Sequence, residues 1–315
     1  MSTNVFHHRR RVFATAAAAL GAMALLSACA DDSAGSSATS GSAPDAITAE
    51  SIPGTFDESI AALVPSDVAD AGKITVAAGP GYPPFYLLAD DQKTLVGADI
   101  EEVRAIGDVL GLEISFQDIK FDAMIPALQT NRVDMAAGGF SITQERLKAV
   151  DFVSNFSGGT SLIVPAGNPK NIGLDSMCGN KIAVQKGTVY ADNYMPVFTK
   201  ACTDAGQKAI DVAVFPTQAD AALALTSGRA DANMSDYGPL AYQAQRSAGQ
   251  FEVLKENYDP STWGFAFPQG SDLEKAVTAA MNQIITDGTY GKILDKWGVS
   301  DGAITESEVH TDEAK

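Results

Sequence analysis

The chain has 315 residues, a formal net charge of −17 and a pI near 4.4. So acidic a surface repels phosphate backbones and sets nucleic acid aside as a partner. Histidine occurs only at His7, His8 and His310, so no Ser-His-Asp, Cys-His or histidine-type zinc site can be assembled in the body of the chain, and there is no phosphate-cradling GxxxxGK loop. No cofactor is expected.

The first element in chain order is an export signal. The basic block His7–Arg11 precedes an alanine-rich apolar run from Val12 to Leu26, which ends in Ser27-Ala28-Cys29. The run is too short and too weakly hydrophobic for a membrane span and reads as a secretory signal. Its small-small-Cys ending resembles the lipobox of bacterial lipoproteins, which implies a signal peptide over 1–28 and lipidation of Cys29. Arg10-Arg11-Val12-Phe13 resembles the twin-arginine export motif, although a plain basic n-region accounts for the same residues. Residues 29–69 are expected to hold the lipidated cysteine and a flexible tether, richest in Ser, Gly and Ala over 30–46. The protein is therefore expected outside the cytoplasm, tethered to the outer face of the cell membrane or within a periplasm.

Strands and helices then alternate. Ile74–Ala78 reads as a strand running into Gly79-Pro80-Gly81. Asp99 and Glu102 have capping-box spacing at the head of a helix with Ile100, Val103, Ile106 and Leu110 on one face. Ile114–Phe116 reads as a strand, Phe121–Gln129 as a short helix and Met135–Ala137 as a strand broken by Gly138-Gly139. Lys181–Gln185 is a strand, Thr217 and Asp220 open a helix that stops at Gly228, and Ser271 with Glu274 opens a helix that Gly288 ends. Such alternation implies α/β layers around a largely parallel sheet. Residues 131–136 (NRVDMA) echo 228–233 (GRADAN), each following a helix and entering a strand, which fits two lobes of similar build. Cys178 and Cys202 form an even pair in an oxidising compartment, so a disulfide is expected, worth roughly 3 kcal/mol on the chain-entropy model. The tail, 300–315, is polar and expected to fray.

The body resembles the family 3 bacterial extracellular solute-binding proteins, the amino-acid receptors of ABC importers. The resemblance rests on Gly81–Phe85, Leu95–Ile100, Phe121–Leu128, Gly139–Arg146, Val184–Thr188, Ser227–Ala232, Asp287–Tyr290 and Lys296–Gly298, in that order. It implies a type II periplasmic-binding-protein fold with the ligand in the cleft between two lobes. Lobe 1 would comprise 70–159 and 260–299, and lobe 2 would comprise 160–259, with the disulfide bracing lobe 2 only. It also implies an amino-acid ligand, an ABC permease as partner, and no enzymatic activity. A monomer is expected.

An amino acid is a zwitterion and needs a fixed cation and a fixed anion. The resemblance gives the α-carboxylate to Arg146, whose planar fork matches two oxygens, and to the backbone N–H groups of Thr188 and Val189. It gives the α-ammonium to Asp236, with the Gly139 carbonyl and Ser141 hydroxyl. Tyr82 and Phe121 are expected as the walls around the ligand side chain, and Gln185, with Tyr190, as polar groups that sense it. Binders of cationic side chains in the family commonly carry an acid where this chain has Gly79, so a neutral polar amino acid such as glutamine is preferred; an acidic ligand would require Lys186 or Lys120 to reach the pocket. Trp263 is expected to pack near the hinge. Two other classes share the scaffold. A dehydratase of the cyclohexadienyl or arogenate type would need an additional general acid in the cleft, and a sensor would act through a separate signalling protein.

Overall fold

A computed structural model describes residues 47–255 and 257–312. The expected signal peptide, Cys29 and the tether as far as residue 46 lie outside them. No helix among the described residues is long and apolar enough to cross a membrane.

Two short helices, α1 (Glu58–Ala61) and α2 (Ser66–Ala71), lead into the first βαβ run. That run comprises β1 (Lys73–Ala77), the small hairpin β2 (Leu87–Leu88) and β3 (Leu95–Val96), α3 (Ala98–Leu110), β4 (Glu113–Gln117), α4 (Phe121–Gln129), β5 (Met135–Ser141) and α5 (Gln144–Leu147). The long strand β6 (Val150–Pro165) carries the chain into the second run. This comprises β7 (Lys181–Gln185), α6 (Met195–Asp204), β8 (Asp211–Phe215), α7 (Gln218–Thr226), β9 (Ala232–Asp236), α8 (Tyr237–Arg246) and β10 (Phe251–Val253). The returning strand β11 (Tyr258–Pro268), then α9 (Leu273–Thr286), α10 (Thr289–Trp297) and β12 (Val309–His310), complete the fold.

One sheet runs through the molecule in the order β4-β1-β5-β11-β6-β9-β7-β8. Its flanks are parallel triplets, β4-β1-β5 and β8-β7-β9, built by the same strand-helix-strand-helix-strand path. Between them β11 and β6 pair antiparallel, from Tyr258↔Thr160 to Pro268↔Val150. Helices α3, α9 and α10 cover the first triplet through a core that includes Ile100, Val103, Ile106, Met281, Ile284 and Leu294. A separate core on the second triplet gathers Leu162, Ile182, Val184, Met195 and Met234.

The echoed motif has the same function in both halves. Asp134 accepts a hydrogen bond from the Thr75 backbone N–H at 2.7 Å, while its own N–H donates to Thr75 O at 2.9 Å. Asp231 does the same with Lys181, at 2.8 Å in each direction. Each aspartate thus clamps the incoming strand to the first strand of its triplet and sets the parallel register. The basic residue ahead of it closes the helix, with Arg132 N–H donating to Ala127 O and Arg229 N–H to Ala224 O.

Three expectations need correction. The segment 47–69 is not a tether. Ile52, Ile60, Val64 and Val68 pack on the first core, and the N–H groups of Gly54 and Asp57 donate to the Asp108 carboxylate and Val109 O. The tail does not fray over 300–312: β12 pairs with Val153 and Phe152 of β6, and the buried Ser307 hydroxyl donates to Ser154 O at 2.6 Å. That pairing covers a free edge of β6 which would otherwise present unpaired backbone groups. Thirdly, Asp99 and Glu102 do not form a capping box. The helix starts one residue earlier, after Gly97, and both carboxylates turn inward to share the Asn155 amide at 3.3 and 2.9 Å. The expected cap at Thr217 is present, its hydroxyl accepting from Asp220 N–H at 3.1 Å.

A disulfide joins Cys178 to Cys202 within the second half. Replacing both by serine is expected to lower the unfolding free energy by roughly 3 kcal/mol, read from urea denaturation. Amino-acid affinity should change less than twofold, because neither cysteine borders the cleft.

Candidate functional site

The C-terminal ends of the parallel strands in both triplets converge on one cleft, the position where open α/β sheets place their ligands. From the first half come Tyr82 in the turn after β1, Phe121 at the head of α4, Gly139 and Ser141 in β5, and Arg146 on α5. From the second come Gln185 at the end of β7 with Thr188, Val189 and Tyr190 after it. Asp236, at the end of β9, is buried and accepts a hydrogen bond from the Tyr82 hydroxyl. All nine residues assigned to the ligand from sequence therefore lie in or against one cleft. Its walls leave only about 10 Å³ free at the centre, roughly the room for one water.

Arg146 is held in place from several sides. The hydroxyl of Thr143 caps its helix by accepting from Arg146 N–H at 3.2 Å. The guanidinium donates to Ser141 O at 2.8 Å and, across the cleft, to Gly187 O at 3.2 Å. It lies 5.6 and 5.4 Å from the ring centres of Phe121 and Phe140, which are themselves stacked. Burial lowers its pKa, and Tyr190 and Asp236 act in the opposite direction. A delocalised cation tolerates such surroundings better than an ammonium would.

Asp236 is the opposing charge. Burial raises its pKa to about 7, against the pull of hydrogen bonds from Tyr190 and Tyr82 and the charge of Arg146. The Tyr82 hydroxyl also lies 3.5 Å from that of Tyr190. Gly139 permits this crowding, since at φ +61° a side chain would be strained, and a Cβ would come 3.3 Å from the Tyr82 ring. Beneath it, burial pushes the Asp99 carboxyl up to about 7, with the Asn155 amide and the Gly139 N–H acting the other way.

Sequence reasoning missed one residue of the lining, Tyr86. Tyr86 stacks on Tyr82 at 5.2 Å and donates its hydroxyl to Gly138 O at 2.8 Å, fixing the carbonyl next to Gly139. The spacing Tyr82-x-x-x-Tyr86 within a Pro-rich turn was the available signal. Asp118 is exposed and does not line the cleft, but it lies close to Gly79. Gly79 leaves room for its carboxylate, for a Cβ there would lie 2.7 Å from Asp118 Oδ1. Lys186 does not line the cleft; it forms a 2.7 Å ion pair with Asp122 between the two halves. Gly81 O also accepts from Ala219 N–H at 3.1 Å between them. Trp263, as expected, packs at the crossing strands, 1% exposed.

The profile of the bacterial extracellular solute-binding proteins, family 3, matches residues 74–300. The chain belongs to that family. This family 3 protein is 34% identical over 251 residues to the arginine-binding protein ArgT of Corynebacterium glutamicum, covering 80% of this chain and 82% of that one. An ancestral arginine-binding protein bound to arginine superposes with a TM-score of 0.64 at 34% identity, and the same kind of protein bound to glutamine with 0.65 at 32%. Each alignment covers 72% of this family 3 chain and 98% of the other. The type II binding-protein fold follows from these matches together with the sheet described above.

Proposed function

We propose that this protein captures a free amino acid outside the cytoplasm, closes around it and delivers it to the permease of an ABC importer. The observation that carries the reading is the presence of one partly buried cation and one buried anion in the same cleft, Arg146 from the first half and Asp236 from the second. They are near enough for the charge of Arg146 to lower the Asp236 pKa. That is the complement of a zwitterion. The carboxylate takes the fork of Arg146 with the N–H groups of Thr188 and Val189, and the ammonium takes Asp236 with Gly139 O and the Ser141 hydroxyl. Tyr82 and Phe121 enclose the side chain. The halves, 70–159 with 260–299 and 160–259, turn about β6 and β11. Because the ligand gains its full set of contacts only when they meet, binding shifts the protein towards closure. Cys29 anchors it through lipid, and Cys29→Ala should release the mature protein into the medium.

For the ligand side chain, Gln185 and Tyr190 favour a neutral polar group, glutamine first. A second reading, a cationic amino acid, is favoured by the Asp118 carboxylate lying against Gly79 just after β1, and by relatives named for arginine. Calorimetric titration with glutamine, asparagine, arginine and lysine decides between them. Glutamine binding that Asp118→Asn leaves intact supports the first, whereas arginine binding weakened by Asp118→Asn supports the second. No heat with any of them removes the amino-acid reading.

Binding should also depend on pH through Asp236. With its carboxyl raised to about 7, the folded protein holds a proton there at mildly acidic pH that must leave before an ammonium is accepted. Affinity should fall about tenfold per pH unit below 7 and level off above it, with close to one proton released at pH 6. The sign for stability is opposite. A carboxyl with a raised folded-state pKa favours folding below pH 4, and that contribution is lost as pH rises through 7. Titrations in buffers of different ionisation enthalpy measure the proton count, and a flat affinity from pH 5 to 8 would contradict the role given to Asp236.

A further inference from the structure

A second concavity lies outside the cleft, a groove of about 570 Å³ between α7 and α8. Ala219, Ala222 and Thr226 line it from α7, and Pro239, Tyr242 and Arg246 from α8. Ala221, Ala224, Leu225 and Leu240 on the same helices point into the core instead, so the groove uses the faces left over after folding. One end is closed by Pro83, which belongs to the first half of the molecule. The turn carrying Pro83 is seated on α7 by the Gly81–Ala219 hydrogen bond, and Thr217 Cβ lies 3.4 Å from the position of a Cβ on Gly81. The groove therefore has this shape only while the two halves are together. Opening would withdraw Pro83 and leave one end unwalled.

The lining has a definite chemistry. Among the described residues that line it Arg246 is the only ionic one, exposed, with its guanidinium 5.4 Å over the Tyr242 ring, in a protein of net charge −17. Two side-chain atoms of lining residues, Gln218 Oε1 on α7 and Gln243 Nε2 on α8, are buried without a hydrogen-bond partner. Gln218 as a whole is only 3% exposed. Both atoms are closed to solvent and so belong to the packing beneath the groove, not to its open face. Stacked Arg–Tyr pairs are typical of the residues that dominate protein interfaces.

We propose that this groove is the docking site for the importer's membrane subunit, which inserts a short segment carrying a carboxylate against Arg246. The proposal rests on the receptor reading above. It gives the permease a way to tell closed from open receptor, since the groove is completed by a residue from the opposite half. Amino-acid capture and permease docking would then use separate residues and could be lost separately.

The test replaces the resident copy with Arg246→Glu, Arg246→Lys or Ala222→Trp, full-length and exported. Uptake of the radiolabelled amino acid that binds most tightly in the calorimetric panel is measured, with calorimetry and thermal unfolding on each purified protein. Arg246→Glu and Ala222→Trp are expected to bind that amino acid within about twofold of wild type but to lose about tenfold or more of uptake, whereas Arg246→Lys keeps most of it. Unchanged uptake in Arg246→Glu and Ala222→Trp overturns the proposal. Loss with Ala222→Trp but not Arg246→Glu overturns the acidic partner. A parallel fall in amino-acid affinity makes the groove part of closure itself and also overturns docking. Absence of binding by the wild-type protein to every amino acid is a different result: it removes the receptor reading, and docking with it.

Discussion

Arg146→Ala is expected to weaken amino-acid binding by about a hundredfold or more, since truncating one partner of a desolvated charge pair costs about 2–5 kcal/mol. The substitution removes the cation meant for the α-carboxylate and leaves Ser141 O and Gly187 O without their donor. Arg146→Lys should recover only part of the affinity, because one ammonium cannot present the planar fork that reaches both carbonyls. Calorimetry with the tightest-binding amino acid gives the ratio directly. A loss below threefold would place the carboxylate elsewhere, with the backbone N–H groups of Thr188 and Val189 as the remaining candidates.

The second large effect should be on stability. Trp263→Ala is expected to cost about 3–5 kcal/mol, the range for deleting a buried large aromatic. Trp263 is 1% exposed, its ring centre 5.1 Å from those of both Phe85 and Phe156, and Gly158 is bare because a Cβ would come 2.7 Å from its ring. It pairs with Ser141 on one side and Phe156 on the other, so it bonds the first triplet to the returning strand at the crossing point. Urea denaturation of Trp263→Ala and Trp263→Phe separates lost volume from lost aromatic contact, the phenylalanine variant retaining most of the stability. A cost below 1 kcal/mol would mean that the surrounding rings collapse into the space.

How much of this could be read in the sequence varied with the range of the interaction. The parallel triplets were legible because each strand is a short apolar run next to an amphipathic helix, as with Ile74–Ala78 before α3. The two-half construction was legible in the shared Arg-x-Asp spacing, although the reason for it, an aspartate clamping a strand about 50 residues away, is a tertiary fact. Arg146 and Asp236 needed the family resemblance, since a strand-end aspartate has the same local appearance as a turn cap. The order of 47–69 had a visible signal that composition obscured. Ile60, Val64 and Val68 recur every four residues, a spacing that marks packing although they fall in α1, in the turn before Pro65 and in α2. The C-terminal tail gave no comparable signal, since Ser307 and His310 are polar and are held by a sheet edge, not by a hydrophobic face. Asp99 and Glu102 had the spacing of a cap, but Gly97 begins the helix and turns both carboxyls towards Asn155. Gly79 illustrates the limit of reading a position by its own residue, because the acid near it is supplied by the loop after β4.

The order of strands also bears on how the protein is made. The half formed by β7, β8 and β9 draws those three strands and its three helices from one continuous stretch of chain, so it can close its core soon after that stretch is available. The other half begins first and finishes last. Its sheet waits for β11, its helical cover for α9 and α10, and the far edge of β6 for β12 at Val309–His310. For most of its synthesis, then, the growing chain carries Ile100, Val103 and Ile106 on an unfinished surface, at the stage when it is most exposed to aggregation. A chaperone that guards the nascent chain would be needed for that segment above all.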